Sequence, residues 1–373
     1  MKNELAPTYE YLYGNNWVLW YAISNSYSVV DEGFKKTLDT YLKSNSKSSF
    51  KEKITSLKST ELIENILNDI ENYLIACNTR SESETSLNES FIADYRKIQK
   101  TYKINGKIIK VYFDSELVAK IIHPAIAHLE CDSNRIADSV FDIFLRDDHL
   151  LLFKNQSCIL KTPKKDYHFL RGKFTMHILC EIYEKEESDW LGTFHGSAIT
   201  DDKTCILFIG ESGSGKSTLS SILVTNGFYL LADDVSPMLA KNTSIYHNPN
   251  GISLKSGATE VLKPLIDNFE DIPITEFNTS KGPLRYFPSP KPPKNYYPCK
   301  SIVLVNYTPN TNTELLEISV KDILETLIPE SWLSPLPEHA DAFLEWLKTV
   351  RLYKLTYSDN KSMIDTVNEL FES

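Results

Sequence analysis

The stretch Gly210-Glu211-Ser212-Gly213-Ser214-Gly215-Lys216-Ser217-Thr218 contains the residue types and spacing of a phosphate-binding loop. Glycines let such a loop curl so that successive amide groups face phosphate oxygens, a lysine reaches the β- and γ-phosphates, and a following serine hydroxyl suits Mg²⁺. The nucleotide-contact candidates are therefore Gly210, Ser212, Gly213, Ser214, Gly215, Lys216, Ser217 and Thr218, with Ser217 also a metal candidate. Asp233 and Asp234 form a second chemical feature, and His195 a third.

The elements around these residues decide whether they meet. Cys205-Ile206-Leu207-Phe208-Ile209 reads as a buried strand running into the loop, and Leu219, Ile222 and Leu223 have the spacing of a helix leaving it. That helix should stop at Asn226-Gly227, and Phe228-Tyr229-Leu230-Leu231-Ala232 then reads as a strand ending at the two aspartates. A helix of about eleven residues descends about 16 Å and five strand residues climb back about the same distance. The carboxylates should thus surface level with the phosphates, and strand alternation turns neighbouring side chains to opposite faces. Upstream, the runs on either side of Thr200-Asp201-Asp202-Lys203 suggest a hairpin, and symmetric pairing would put His195 opposite Phe208.

His195-Gly196, the loop at 210–217 and Leu231-Ala232-Asp233-Asp234 stand in the order and near the spacing found in the HPr serine kinase/phosphorylase family, which this chain resembles. The resemblance is strong over residues 190–260 and continues weakly to the end, where 300–307 and 352–357 read as strands and 361–371 as a helix. It implies a mixed α/β sheet with the phosphate loop at one edge, and phosphorylation of serine hydroxyls from ATP with Mg²⁺. It also implies roles: Lys216 on phosphate, Ser217 on the metal, Asp233 as general base, Asp234 assisting the metal, and His195 tuning that base or contacting phosphate. Thr218 stands where the HPr enzymes usually carry an acidic residue, and their basic downstream signature for phosphorolysis has only Asn248-Pro249-Asn250-Gly251 as a counterpart. Kinase activity is therefore favoured over phosphorolysis, as in relatives that modify ribosomally made peptides, including the tailoring kinases of lasso-peptide pathways.

The N-terminal residues bear on the acceptor. Residues 17–23 and 27–30 flank a turn at Ser24-Asn25-Ser26, and three helical patterns follow. The first carries Phe34, Leu38, Tyr41 and Leu42, the second Phe50, Ile54 and Leu57, the third Leu62, Ile63, Ile66, Leu67, Ile70 and Leu74. A hairpin with three helices resembles a PqqD-like peptide-recognition domain of winged-helix type, which captures leader peptides by adding a strand to its sheet edge. An unrelated helical cap is the alternative.

The expected organisation is a peptide-binding unit at 1–80, a linker at 81–98, a β-rich unit at 99–189 packed on the core, and a kinase core at 190–373. In the β-rich unit Asn105-Gly106 is a two-residue hairpin signal, while His123 and His128 are five residues apart and read as structural. Seven prolines between residues 273 and 298 argue against helix or central strand there and suggest a lid or binding loop. Lys281 and Arg285 lie in it as candidate contacts to a transferring phosphoryl group.

Composition sets outer limits. The chain has 373 residues, with 40 basic and 50 acidic side chains, a net charge of -10 that disfavours nonspecific nucleic-acid or anionic-membrane binding. No signal-peptide core or membrane-length apolar run is present, so a cytoplasmic location is expected. Six cysteines without paired spacing read as reduced thiols. The functional expectation is an ATP- and Mg²⁺-dependent kinase acting on a serine or other hydroxyl of a precursor peptide or small protein. A free-serine-type kinase, a true HPr kinase/phosphorylase and a noncatalytic nucleotide-dependent binding protein are the alternatives.

Overall fold

A computed structural model describes residues 2–54, 60–80, 87–276 and 282–373. Leu57, the centre of the polar stretch at 81–86 and Lys281 lie outside the described residues. The described residues form a mixed α/β structure with sheets of three, five, ten and three strands.

The apolar run after Asn16 explains how the N-terminal unit is held. Tyr9–Tyr13, Asn16–Tyr21 and Ser26–Asp31 form an antiparallel meander, and its central strand is buried on both faces. Leu19 and Tyr21 pack with Leu38, Phe50, Leu67, Ile70 and Leu74 of the helices, whereas Val18 and Trp20 pack into the large core with Phe343 and Leu344. Period-two alternation thus serves two partners at once. The strand at Tyr9–Tyr13 was not anticipated from the sequence, because its alternation is carried by half-buried tyrosines and not by aliphatics. In the helix Thr60–Asn78, Leu62 is 45% exposed, so the apolar stripe is Ile63, Leu67, Ile70 and Leu74.

The middle region is a five-stranded sheet in the order Ile98–Ile104, Lys107–Phe113, Ser139–Arg146, His149–Lys154, Ser157–Pro163. Asn105-Gly106 closes its first hairpin, with Ile104 opposite Lys107. Helices Glu116–Ile126 and Tyr167–Tyr183 pack on this sheet, and their core is continuous with Trp190, Leu239 and Tyr246 of the large sheet. His123 Nδ1 lies 2.9 Å from the Tyr102 hydroxyl, a structural contact.

In the ten-stranded sheet the strand entering the phosphate loop, Cys205–Ile209, is interior, flanked by Ser197–Thr200 and by the long strand Tyr296–Tyr307. The expectation that the loop stands at a sheet edge is thereby corrected. All five residues of Cys205–Ile209 are buried, as an unbroken apolar run requires when both faces are covered. The long strand runs parallel to it and to Arg351–Tyr357, while its first residues pair antiparallel with Ser244–Tyr246.

Interior strands therefore do include two of the prolines, Pro298 and Pro283, against the sequence expectation. Pro298 pairs with Ser244 just before pairing with Cys205–Ile209 begins at Cys299, so the strand is locally an edge there, where proline is tolerated. Pro283 opens a short strand, Pro283–Phe287, in a three-stranded sheet with Ile252–Lys255 and Thr275–Glu276. The proline-rich segment is thus partly a small sheet beside the phosphate loop. Among the described residues no helix is long and apolar enough to cross a membrane.

Candidate functional site

The loop keeps its shape through glycine and one backbone tether. A Cβ at Gly210 would lie 2.6 Å from Ser214 Oγ and 2.9 Å from the Val305 carbonyl, so a side chain there would displace the loop. Gly215 adopts φ 97° as the N-cap of the helix Lys216–Thr225, a conformation glycine adopts without penalty. The Ser214 carbonyl accepts from the Tyr307 amide at 3.2 Å, fixing the loop to the end of the neighbouring strand. Lys216 is 7% exposed, and its Nζ donates to the Gly210 carbonyl at 2.6 Å and the Glu211 carbonyl at 3.1 Å. Burial pulls Lys216 below the usual lysine range, opposed by the carboxylates of Asp234 and Asp233.

The acid pair does reach the loop. Asp233 is 2% exposed and follows the strand Tyr229–Ala232. Its Oδ1 accepts a short hydrogen bond from Ser197 Oγ, its Oδ2 accepts from the Ser253 amide at 2.9 Å, and Ser217 Oγ lies 3.4 and 3.5 Å from the two oxygens. Burial first, then the Asp234 charge, push Asp233 up to about 7, against the lowering pull of Ser197, Ser253 and Lys216. Asp234 adopts φ 60°, is half-buried, and its charge acts on both Lys216 and the Tyr286 hydroxyl.

The hairpin register differs from the symmetric expectation. Ser197, not His195, lies opposite Phe208, and Thr200 lies opposite Cys205. The turn is 201–204, closed by the Asp201 carboxylate accepting from the Lys203 and Thr204 amides and by Thr200 Oγ1 donating to the Thr204 carbonyl. That moves the pairing by two residues and gives Ser197 the contact to Asp233. His195 is half-buried beside the site, where its amide donates to Ser331 Oγ at 3.1 Å. Among the described residues no hydrogen bond or ion pair joins the His195 ring to either aspartate.

Arg285 is engaged elsewhere. Its guanidinium pairs with Glu270 Oε2 at 3.0 Å, donates to the Glu270 and Ile272 carbonyls, and lies 5.2 Å from the centre of the Phe269 ring. It clamps the loop at 269–272 and does not face the phosphate loop. The cation that does is Lys255, whose Nζ donates to Ser212 Oγ at 2.9 Å. Lys255 ends the strand Ile252–Lys255, the same strand whose Ser253 amide holds Asp233. Glu330 is a further missed neighbour, since its charge acts on Lys216. The signal for Lys255 was a lysine closing an alternating Ile-Ser-Leu-Lys run just beyond the aspartates. For Glu330 no local signal exists.

The site fits a nucleoside triphosphate with Mg²⁺. Among the described residues Ser214 Oγ is buried in the loop without a partner, and the helix Lys216–Thr225 begins directly after Gly215, with the first-turn amides that any helix leaves free for an anion. Ser217 and Asp233 are the hydroxyl and carboxylate that would hold a Mg²⁺ ion beside a bound phosphate, an ion that takes few protein ligands. Thr218 is half-buried in that first turn.

Among solved structures, the HPr(Ser) kinase/phosphatase from Coxiella burnetii is similar to this chain at 15% identity, covering 48% of this chain and 88% of that one, with a TM-score of 0.22. No protein-family model and no curated protein matches the chain.

Proposed function

We propose that this chain is a kinase that transfers the γ-phosphoryl group of Mg-ATP to a hydroxyl, a serine on a ribosomally made peptide or small protein. The observation that carries the reading is Asp233 set against Ser217 at the mouth of a phosphate loop whose lysine and helix N-terminus face the same point. In-line transfer demands positioning and charge neutralisation more than covalent chemistry. Lys216, the Ser214 hydroxyl and the loop amides would hold the β- and γ-phosphates, and Lys255 would close over them from the Ser212 side. Mg²⁺ bound at Ser217 and Asp233 would neutralise developing phosphate charge. The bond from the γ-phosphorus to its bridging oxygen breaks, a bond to the acceptor oxygen forms, ADP leaves, and the acceptor proton passes to a carboxylate.

Burial supports exchanging the roles expected of the two aspartates. Asp233 is enclosed by Ser197, Ser217 and the Ser253 amide, which suits a metal-side carboxylate and gives an acceptor hydroxyl no approach. Asp234 is the more open group, so we assign it the general base.

A peptide acceptor is supported by how the N-terminal unit sits. Asn25 Nδ2 donates to the Leu333 carbonyl at 2.8 Å and Tyr11 donates to Asp341 at 2.7 Å, joining the meander to the segment that follows Glu330 and Ser331 at the site. Among the described residues the strand Ser26–Asp31 is paired only with Asn16–Tyr21, leaving an edge of the kind extended peptides join. The test is incubation of the full chain with Mg-ATP and either serine-containing precursor peptides or free serine, read by mass spectrometry. Phosphate on peptide serine supports the reading; phosphate on free serine alone points to a small-molecule kinase. ATP binding without any phosphorylated product would overturn catalysis.

A further inference from the structure

A second pocket lies away from the phosphate loop. A pocket of about 370 Å³ opens where the Asn105-Gly106 turn of the five-stranded sheet meets the loop carrying His247, Pro249 and Asn250 and the segment around Lys291. Among the described residues its ionisable lining consists of Lys103, Lys291, His128 and His247, with no carboxylate, in a chain whose net charge is -10. A wall of one sign in an oppositely charged protein focuses a local field that attracts anions.

His247 is the group that singles this pocket out. It is 7% exposed, its amide is held by the Asn295 carbonyl at 2.8 Å, its carbonyl accepts from Tyr183 at 2.7 Å, and its buried Nδ1 has no partner among the described residues. Burial, then Lys291 and His128, hold the ring down to about 3, so it is a neutral imidazole. Buried polar nitrogens are almost always paired, because leaving one unpaired forfeits its hydration without replacement. Among the described residues Lys291 Nζ reaches only the neutral Asn105 Oδ1, at 2.8 Å, and the His128 ring is bonded to the Pro249 carbonyl. Among its described lining residues the pocket therefore presents two lysine charges without an anionic partner, beside a His247 Nδ1 that no group satisfies.

The same loop also grips the acid pair. Asn248, fully buried, donates its amide to the Leu231 carbonyl at 2.8 Å and its side-chain nitrogen to the Val235 carbonyl at 2.9 Å, bracketing Asp233 and Asp234. Its neighbours on both sides line the pocket.

We propose that this pocket is a binding site for a small organic anion, recognised through a phosphate or carboxylate group by His247, Lys103 and Lys291, and that occupancy is felt at the acid pair through Asn248. Binding stands independently of the kinase reading; only an effect on transfer rests on it.

The test is NMR on the full chain with ¹⁵N-labelled histidine, titrated separately with inorganic phosphate and with citrate. His247 and His128 resonances should move with one or both anions, in wild type and in Lys216→Ala alike. Movement with phosphate alone identifies the phosphate group, and movement with citrate alone the carboxylate. In the Lys103→Glu, Lys291→Glu double variant, the apparent Kd should rise at least about tenfold. Both lysines are exposed, and thermal unfolding checks that the variant retains its fold. Absence of movement at His247 with either anion to about 10 mM, weaker than any useful specific affinity, overturns the proposal. So does movement that is lost in Lys216→Ala, or that is unchanged in the double variant.

Discussion

Asp233→Asn should make the protein more stable in alkali while impairing its metal site. Burial and Asp234 raise Asp233 from 3.8 to about 7, so the folded state holds a proton that the unfolded chain has already released. Stability from this group is complete below pH 3.8 and falls as pH rises through about 7. The gap between those values corresponds to about 4 kcal/mol at 1.36 kcal/mol per unit, of which about 3 kcal/mol falls between roughly pH 5 and pH 8.5. Asparagine cannot ionise, so it escapes this loss. It replaces one of two accepting oxygens by a donor, and losing either the Ser197 or the Ser253 bond costs about 1–3 kcal/mol at every pH. The assay is urea unfolding of both proteins at roughly pH 5 and pH 8.5, without nucleotide or divalent metal. Moving to the higher pH should favour the variant by about 3 kcal/mol relative to wild type. Asp234→Asn should shrink that change, because it removes a charge that raises Asp233. A difference between wild type and Asp233→Asn that is the same at both pH values would refute the argument.

Three further outcomes follow from the same contacts. Lys216→Ala should abolish product formation in a single-turnover assay while far-UV circular dichroism shows the fold retained. Lys255→Met should weaken nucleoside triphosphate binding by about tenfold in calorimetry and leave monophosphate binding nearly unchanged, since only the outer phosphates would lie on its side. Arg285→Ala should lower unfolding stability by about 1–3 kcal/mol with nucleotide affinity unchanged, because its bonds run to Glu270 and Ile272.

Local chemistry was readable where a short segment determined its own geometry. The apolar run, the loop and the helix spacing sufficed to place Ser217, and the length match of helix and strand sufficed to bring Asp233 to within hydrogen-bonding distance of it. The Asn105-Gly106 hairpin was similarly self-contained. What escaped depended on contacts remote in sequence or on side-chain turn chemistry. Asp201 capped a turn one residue later than expected, which passed the Asp233 contact from His195 to Ser197. Arg285 looked like a phosphate ligand because its loop was proline-rich, yet Phe269, Glu270 and Ile272 captured it. Lys255 reached the loop only because three short strands formed a sheet that no single segment announces. The double-faced burial of Val18-Leu19-Trp20-Tyr21 likewise needed the partner helix Pro337–Leu347, more than 300 residues away.

The most direct measurement is calorimetric titration with a nonhydrolysable ATP analogue, with and without Mg²⁺, on wild type, Lys216→Ala and Asp233→Asn. The account predicts binding by wild type that Mg²⁺ strengthens, loss of binding in Lys216→Ala, and binding that no longer responds to Mg²⁺ in Asp233→Asn. Wild type that takes up no analogue, or an Asp233→Asn protein whose Mg²⁺ response matches wild type, would contradict it.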